Sequence, residues 1–224
     1  MFDLDAPTFI SRIIVLLIAF TIHELAHAAS ATYFGDDTPR LYGRLTLNPL
    51  AHLDPMGSLL LIVAGFGWAK PVPINPYALS KRSPAAVMLV SLAGPLSNFL
   101  MALLAAIPFR VGLVSISDLF LRGANPNPTL LERILPSFPE FLYTFIAINL
   151  LLMLFNLIPL APLDGDKIFD YFVPPSFSRT WERIRAYGPI ILLAVVFLLP
   201  LAGLNVIEWI IMPPMRLLLG ALLG

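Results

Sequence analysis

Three stretches of this chain, Pro84–Phe109, Phe141–Leu163 and Gly188–Ile207, contain no charged residue. Each reaches the roughly 20 apolar residues that a helix needs to cross the hydrocarbon core of a bilayer. No other feature restricts the fold as much, because a backbone in lipid must satisfy its hydrogen bonds internally and a helix does so within one segment. Pro7–Phe34 is also long enough, although it carries ionisable residues. Pro55–Ala69 is short for a crossing and reads as a short or partly inserted helix. Trp209–Gly224, interrupted by Pro213 and Pro214, reads as a kinked terminal one. The expected fold class is an all-α polytopic membrane protein of about six transmembrane or partly inserted helices.

Composition points the same way. Hydrophobic residues make up 58% of the 224 positions and charged residues 12%, against about a quarter charged in soluble domains, and mean hydropathy is +0.84. The 14 basic and 14 acidic residues cancel, so there is no basic field to attract nucleic acid, and the partner expected throughout is the lipid bilayer. There is no cysteine, which leaves any metal to nitrogen and oxygen ligands. The N-terminus, MFDLDAPTF, has two Asp and no basic residue before Arg12, unlike a secretory signal peptide. The first apolar segment is therefore expected to stay in the protein. No internal repeat and no separate soluble domain is visible, and residues 1–224 read as a single membrane-embedded domain.

The connections carry some pattern of their own. In TPRLYGRLTLNP, Leu41, Leu45 and Leu47 alternate roughly with polar residues, which reads as an extended or β-hairpin element near the membrane interface. An exposed edge there could hold an unwound peptide by strand addition. WAKPVPINPY is too rich in proline for a helix and reads as extended chain beside that strand. RGANPNP marks the turn of the longest connection. If six segments alternate sides, Arg12, Lys70, Lys81, Arg82, Lys167, Arg179, Arg183, Arg185 and Arg216 share a side, against Arg40, Arg44, Arg110, Arg122 and Arg133. The more basic side, with the N-terminus, is then expected to face the cytoplasm.

The chemistry concentrates in HELAH, positions 23 to 27, inside the first apolar stretch. Residues four apart share a helical face, so His23 and His27 can direct ring nitrogens at one point, with Glu24 projecting beside it. H-E-x-x-H enzymes use this arrangement to hold zinc between the two His while the Glu serves as general base toward a water. A charged side chain at the bilayer centre costs roughly 3 kcal/mol or more, so such a cluster marks a functional site rather than ballast. Polar helix packing is the bland alternative, but Ser, Thr and Asn serve it better than Glu between two His.

A catalytic zinc takes three protein ligands and keeps one open position. The third ligand here is His52 or a carboxylate, and Asp164 is the foremost candidate. It closes a charge-free stretch in NLIPLAPLDGD, where Pro159 and Pro162 break the helix and irregular backbone can line a polar cavity. An ordinary interfacial turn accounts for Asp164 about as well, and His52, alone in a proline-rich loop, is the rival ligand.

His23-Glu24-Leu25-Ala26-His27 together with Asn156-x-x-Pro159-x-x-Pro162-x-Asp164-Gly165 resembles the site-2 protease family of intramembrane zinc metalloproteases, in its compact prokaryotic form. Every fixed position of the second signature, N-x-x-P-x-x-P-x-D-G, is present, and AGPLSN, ending at Asn98, is similar to a segment that the family carries on an intervening helix. The resemblance covers nearly the whole chain. It implies one zinc ion held by His23, His27 and Asp164, with Glu24 as catalytic base, in an endopeptidase acting on transmembrane protein substrates in a prokaryotic inner membrane. Many members add a PDZ or CBS domain, and none is visible in this sequence. Asn98 and Asn156 could bond the substrate or an oxyanion, or pack helices.

A reading from another class is a metal-ion or proton transporter using the same His, Glu and Asp cluster, since ionisable groups and broken helices suit transporters too. Against it, the sequence has no inverted repeat and no further acidic residues spaced along a path. A catalytically silent scaffold is disfavoured because no motif position is missing.

Overall fold

The computed structural model describes residues 5–64, 67–121 and 129–224. Helix α1, Ala6–Tyr33, starts where the Asp5 carboxylate accepts a hydrogen bond from the Thr8 amide at 3.0 Å, and Pro7 sits in the first turn, where no intrahelical donor is needed. Then come α2, Thr38–Leu41; α3, Pro55–Ala64; α4, Pro76–Arg82; and α5, Ala86–Arg110. The second half contains α6, Asp118–Leu121; α7, Leu130–Ile134; α8, Phe138–Asn156; and α9, Asp164–Asp170. It closes with α10, Ser178–Leu193, a π-helical turn Ala194–Leu198, α11, Leu199–Leu201, and α12, Val206–Leu223.

Among the described residues, five helical runs are long and apolar enough to cross a membrane: Ala6–Tyr33, Ala86–Arg110, Leu130–Asn156, Ser178–Leu201 and Val206–Leu223. This is an all-α, multi-pass membrane protein. Helix α5 is central and packs against α1, α8, α9 and α12. Its contact surfaces are built from small residues, as expected where lipid supplies no hydrophobic drive between helices and close packing must do the work. Ala28 and Ala31 of α1 and Ala86 and Ala102 of α5 are fully buried, and Ala106 nearly so. Larger side chains, Ile146, Leu150, Met153, Ile211 and Met215 among them, fill the core shared by α5, α8 and α12.

The loop between α1 and α4 departs from the sequence expectation. No sheet is present among the described residues, and the expected β-hairpin is replaced by the short helix α2 and an isolated bridge between Leu53 and Ala69. The physical reason lies in side chains that outcompete strand pairing. Asp36 Oδ1 accepts from the Thr38 amide at 3.0 Å and starts α2, with Pro39 in its first turn. Gly43, with a positive φ of 66°, then turns the chain. Arg44 is buried, and its guanidinium donates to the carbonyls of Ala51, Lys70 and Pro71. Those acceptors are thereby taken by one side chain.

Two helix boundaries also move. The charge-free run Gly188–Ile207 is not one crossing: α10 begins earlier, at Ser178, and Ala202 and Gly203 end the run before α12 opens at Val206. Gly203 has φ of 80°. Helix α12 runs continuously through Pro213 and Pro214. The short helix expected from Pro55 is present as α3, and the RGANPNP turn lies outside the described residues.

Candidate metal centre

Helix α1, long and apolar enough to span a membrane, places His23 and His27 one turn apart on the face toward α5, roughly 15 and 9 Å from its C-terminal end. The third group arrives from far along the chain. Helix α8 stops at Asn156, the proline-rich segment 157–163 turns, and α9 opens with Asp164. Gly165 makes this return possible, because a Cβ there would lie 2.3 Å from the Ile158 carbonyl oxygen and 2.5 Å from that of Leu157. On the far side, Arg185 of α10 fastens α9 through Asp166 at 2.8 Å and Asp170 at 3.1 Å. Burial pushes the Asp166 carboxyl above its usual range, against the Arg185 guanidinium that faces it.

His23, His27 and Asp164 are all buried and form the one metal-competent group among the described residues. Their Nε2 atoms lie 3.0 Å apart, and Asp164 Oδ2 is 3.2 Å from each. The rings meet edge to face at 84°.

The outer hydrogen bonds fix the chemistry of this triangle. His27 Nδ1 lies 2.7 Å from the Val90 carbonyl, which can only accept, so Nδ1 carries the proton and Nε2 a lone pair. For His23 the assignment passes through two amides. Asn149 Nδ2 donates to the Phe145 carbonyl, which leaves Asn149 Oδ1 to accept from Asn98 Nδ2 at 2.9 Å. Asn98 Oδ1 therefore accepts from His23 Nδ1, 2.5 Å away, and His23 Nε2 also presents a lone pair. With both rings neutral, two imidazole lone pairs and a carboxylate oxygen thus converge on one point. Buried acceptors so arranged repel one another unless a cation lies among them.

Zinc fits. Tetrahedral zinc with nitrogen and oxygen ligands at about 2.0–2.1 Å sets its donors roughly 3.3 Å apart, close to the separations here. Room for the ion is kept by Gly94 of α5, where a Cβ would lie 2.4 Å from His27 Nε2 and 2.6 Å from His23 Nε2. Any side chain at 94 would occupy the point on which the donors converge.

Of the other residues singled out in the sequence, Glu24 is buried beside this group, and its Oε2 accepts from the Val72 amide at 3.1 Å. His52 is not in the group: it is fully buried elsewhere, with Nε2 2.8 Å from the Thr46 carbonyl. Asn98 orients His23, whereas Asn156 Nδ2 donates to Leu152 within its own helix. Sequence reasoning missed Asn149 and Val72, and noted Gly94 only as part of AGPLSN, with no role of its own. Asn149 had a visible signal, as one of two amides in a charge-free spanning stretch; Val72 had none beyond its place between two prolines.

No family model and no solved structure matches the chain. A Bacillus subtilis protein named "Putative zinc metalloprotease YwhC" is 43% identical over 191 residues, covering 85% of this chain and 81% of that one. The chain belongs to the site-2 protease family. Two further relatives of this site-2 protease are named "Putative zinc metalloprotease Rip2". The one from Mycolicibacterium smegmatis is 31% identical over 84% of this chain, and the one from Mycobacterium tuberculosis is 29% identical over 87%. This chain spans 66% and 69% of their lengths. Membership makes the protein a metalloprotease, and its buried His, His and Asp group fits one zinc ion.

Proposed function

We propose that this metalloprotease hydrolyses peptide bonds in or near the transmembrane segments of membrane proteins, with His23, His27 and Asp164 as zinc ligands and Glu24 as general base. The observation that carries the reading is the convergence of His23, His27 and Asp164 against a helix long and apolar enough to span a membrane, next to the buried Glu24 carboxylate. A site sunk in lipid serves bonds that also lie there. Bound at this group, zinc supplies Lewis acidity, lowering the pKa of water toward about 7 and polarising a peptide carbonyl.

The chain's own residues do the rest. Glu24 takes a proton from the attacking water and returns it to the leaving amide nitrogen. The Asn98 and Val90 contacts hold both imidazoles in the tautomer that leaves Nε2 free. The irregular backbone of 67–75 and 157–163 lines the site, which is where non-helical chain is tolerated at membrane depth. A substrate carbonyl within an intact helix is bonded to its own turn, so the substrate unwinds locally before it is cut.

Five crossings also change the orientation expected from six. Helix α3 has ten residues and spans about 15 Å, half of the roughly 30 Å core. Counted as non-crossing, α3 leaves residues 34–85 on the side of 157–177 and of the end of α12. Among the described residues, that side holds every Lys and Arg except Arg12, Arg110 and Arg133. By the positive-inside rule it faces the cytoplasm, with residue 5 on the opposite face, in a prokaryotic cell membrane like those of the bacterial relatives.

Digestion of purified single-span membrane proteins, with the cut sites mapped by mass, tests the proposal. Cuts within or next to the span are expected, and cuts confined to soluble flanks contradict it.

A further inference from the structure

Glu24 is not held by its own helix alone. The Val72 N–H that donates to its Oε2 belongs to an extended strap, residues 67–75, that comes in from outside the spanning helices. Val72 lies between Pro71 and Pro73. Neither proline has an N–H, so these three residues offer one donor, and the residue preceding a proline is biased to extended backbone. No described residue bonds the other carboxylate oxygen of Glu24.

The strap is fastened on both sides of Val72 by buried charged side chains. Arg44, 5% exposed, donates from Nη1 to Lys70 O at 3.2 Å and to Ala51 O at 2.7 Å, and from Nη2 to Pro71 O at 3.2 Å. The Lys70 amide donates to His52 O at 2.7 Å. At the other end Asp36, 2% exposed, accepts from the Asn75 amide at 2.6 Å while its second oxygen accepts from the Thr38 amide at 3.0 Å. Two buried charges fixing one short segment of backbone is a large investment for a plain connection, and its centre touches Glu24.

We infer that the Val72 N–H is a positioning group for Glu24, and that Arg44 is a positioning residue acting through the strap. By holding one oxygen of the carboxylate, the strap fixes the direction in which the other faces the reacting water. A glutamate has three side-chain torsions, and a base works only within hydrogen-bond reach of the proton it takes. The inference rests on the proposed role of Glu24 as base.

Val72→Pro, Val72→Ala, Arg44→Lys and Glu24→Gln, prepared as full chains with zinc, are compared on one single-span substrate. Val72→Pro deletes the donor and Val72→Ala keeps it, so kcat should be about 10–100-fold lower in the former, with KM and zinc content equal. In metal-free protein the Glu24 carboxylate stretch, taken as the infrared difference between wild type and Glu24→Gln, should shift in Val72→Pro. A merely structural strap would leave that band in place. Equal kcat for the two Val72 variants overturns the inference, as does a raised KM at constant kcat, which would assign the strap to substrate binding. Should Val72→Pro fail to fold, Arg44→Lys decides: lower kcat with zinc retained and the band shifted supports the inference, and wild-type kcat overturns it. Cleavage retained by Glu24→Gln removes the base assignment itself, whereas an inactive Glu24→Gln beside a fully active Val72→Pro removes only the strap's role.

Discussion

Asn98 Nδ2 donates to Asn149 Oδ1 at 2.9 Å, and through this contact between two fully buried amides the main chain of α8 sets the tautomer of His23 on α1. A polar relay across three helices has a cost in lipid that is offset only if each member is satisfied, as here. Asn98→Ala should therefore lower zinc affinity about 10–100-fold, the usual effect of removing an outer partner of a metal-bound His. Competition with a chelator of known affinity measures it. Asn149→Ala should act in the same direction but less strongly, since Asn98 can still reach His23.

Gly94→Ala tests the space reserved for the ion. The added methyl would sit 2.4–2.6 Å from both Nε2 atoms, too close for either ring to keep its place. We expect the variant to retain its helix content by circular dichroism and to lose stoichiometric zinc by metal analysis. A variant that binds zinc normally would show that the donors converge elsewhere.

Gly165→Ala tests the return of α9 onto the end of α8. Here the methyl would meet two carbonyl oxygens at 2.3 and 2.5 Å, and backbone cannot step aside as a flexible side chain does. A loss of about 2 kcal/mol or more is expected. A thermal unfolding midpoint equal to that of the wild type in the same detergent would contradict the packing described.

How much of this was legible beforehand follows from the kind of interaction involved. The pairing of His23 and His27 is local, set by helical periodicity, whereas the prolines before Asp164 announced only a broken helix; spacing left Asp164 even with an ordinary turn residue, and the resemblance to the site-2 protease signature singled it out. The β-hairpin was misread because alternating Leu41, Leu45 and Leu47 mimic a strand, while the Arg44 contacts that decide the loop reach 26 and 27 residues ahead. The start of α10 was placed too late because its first turns carry Arg179, Glu182, Arg183 and Arg185. Charge-free length finds the part of a helix within lipid and not the part that emerges. The Val72 contact is made by main chain, and no side-chain pattern encodes it.

The orientation can be read directly, since the chain has no cysteine to confuse labelling. Both Tyr42 and Leu113 are exposed, on connections that five crossings assign to opposite faces and six to the same face. In intact cells a membrane-impermeant maleimide should label Leu113→Cys and spare Tyr42→Cys until the membrane is opened. Labelling of both would restore the orientation expected from six crossings.

The central claim is that Glu24 moves the proton while His23, His27 and Asp164 hold the metal. Turnover of one single-span substrate by purified wild type and Glu24→Gln, each with its zinc content measured, tests it most directly. The account predicts one zinc per chain in both proteins and cleavage by the wild type alone. Cleavage retained by Glu24→Gln at full zinc content would contradict it.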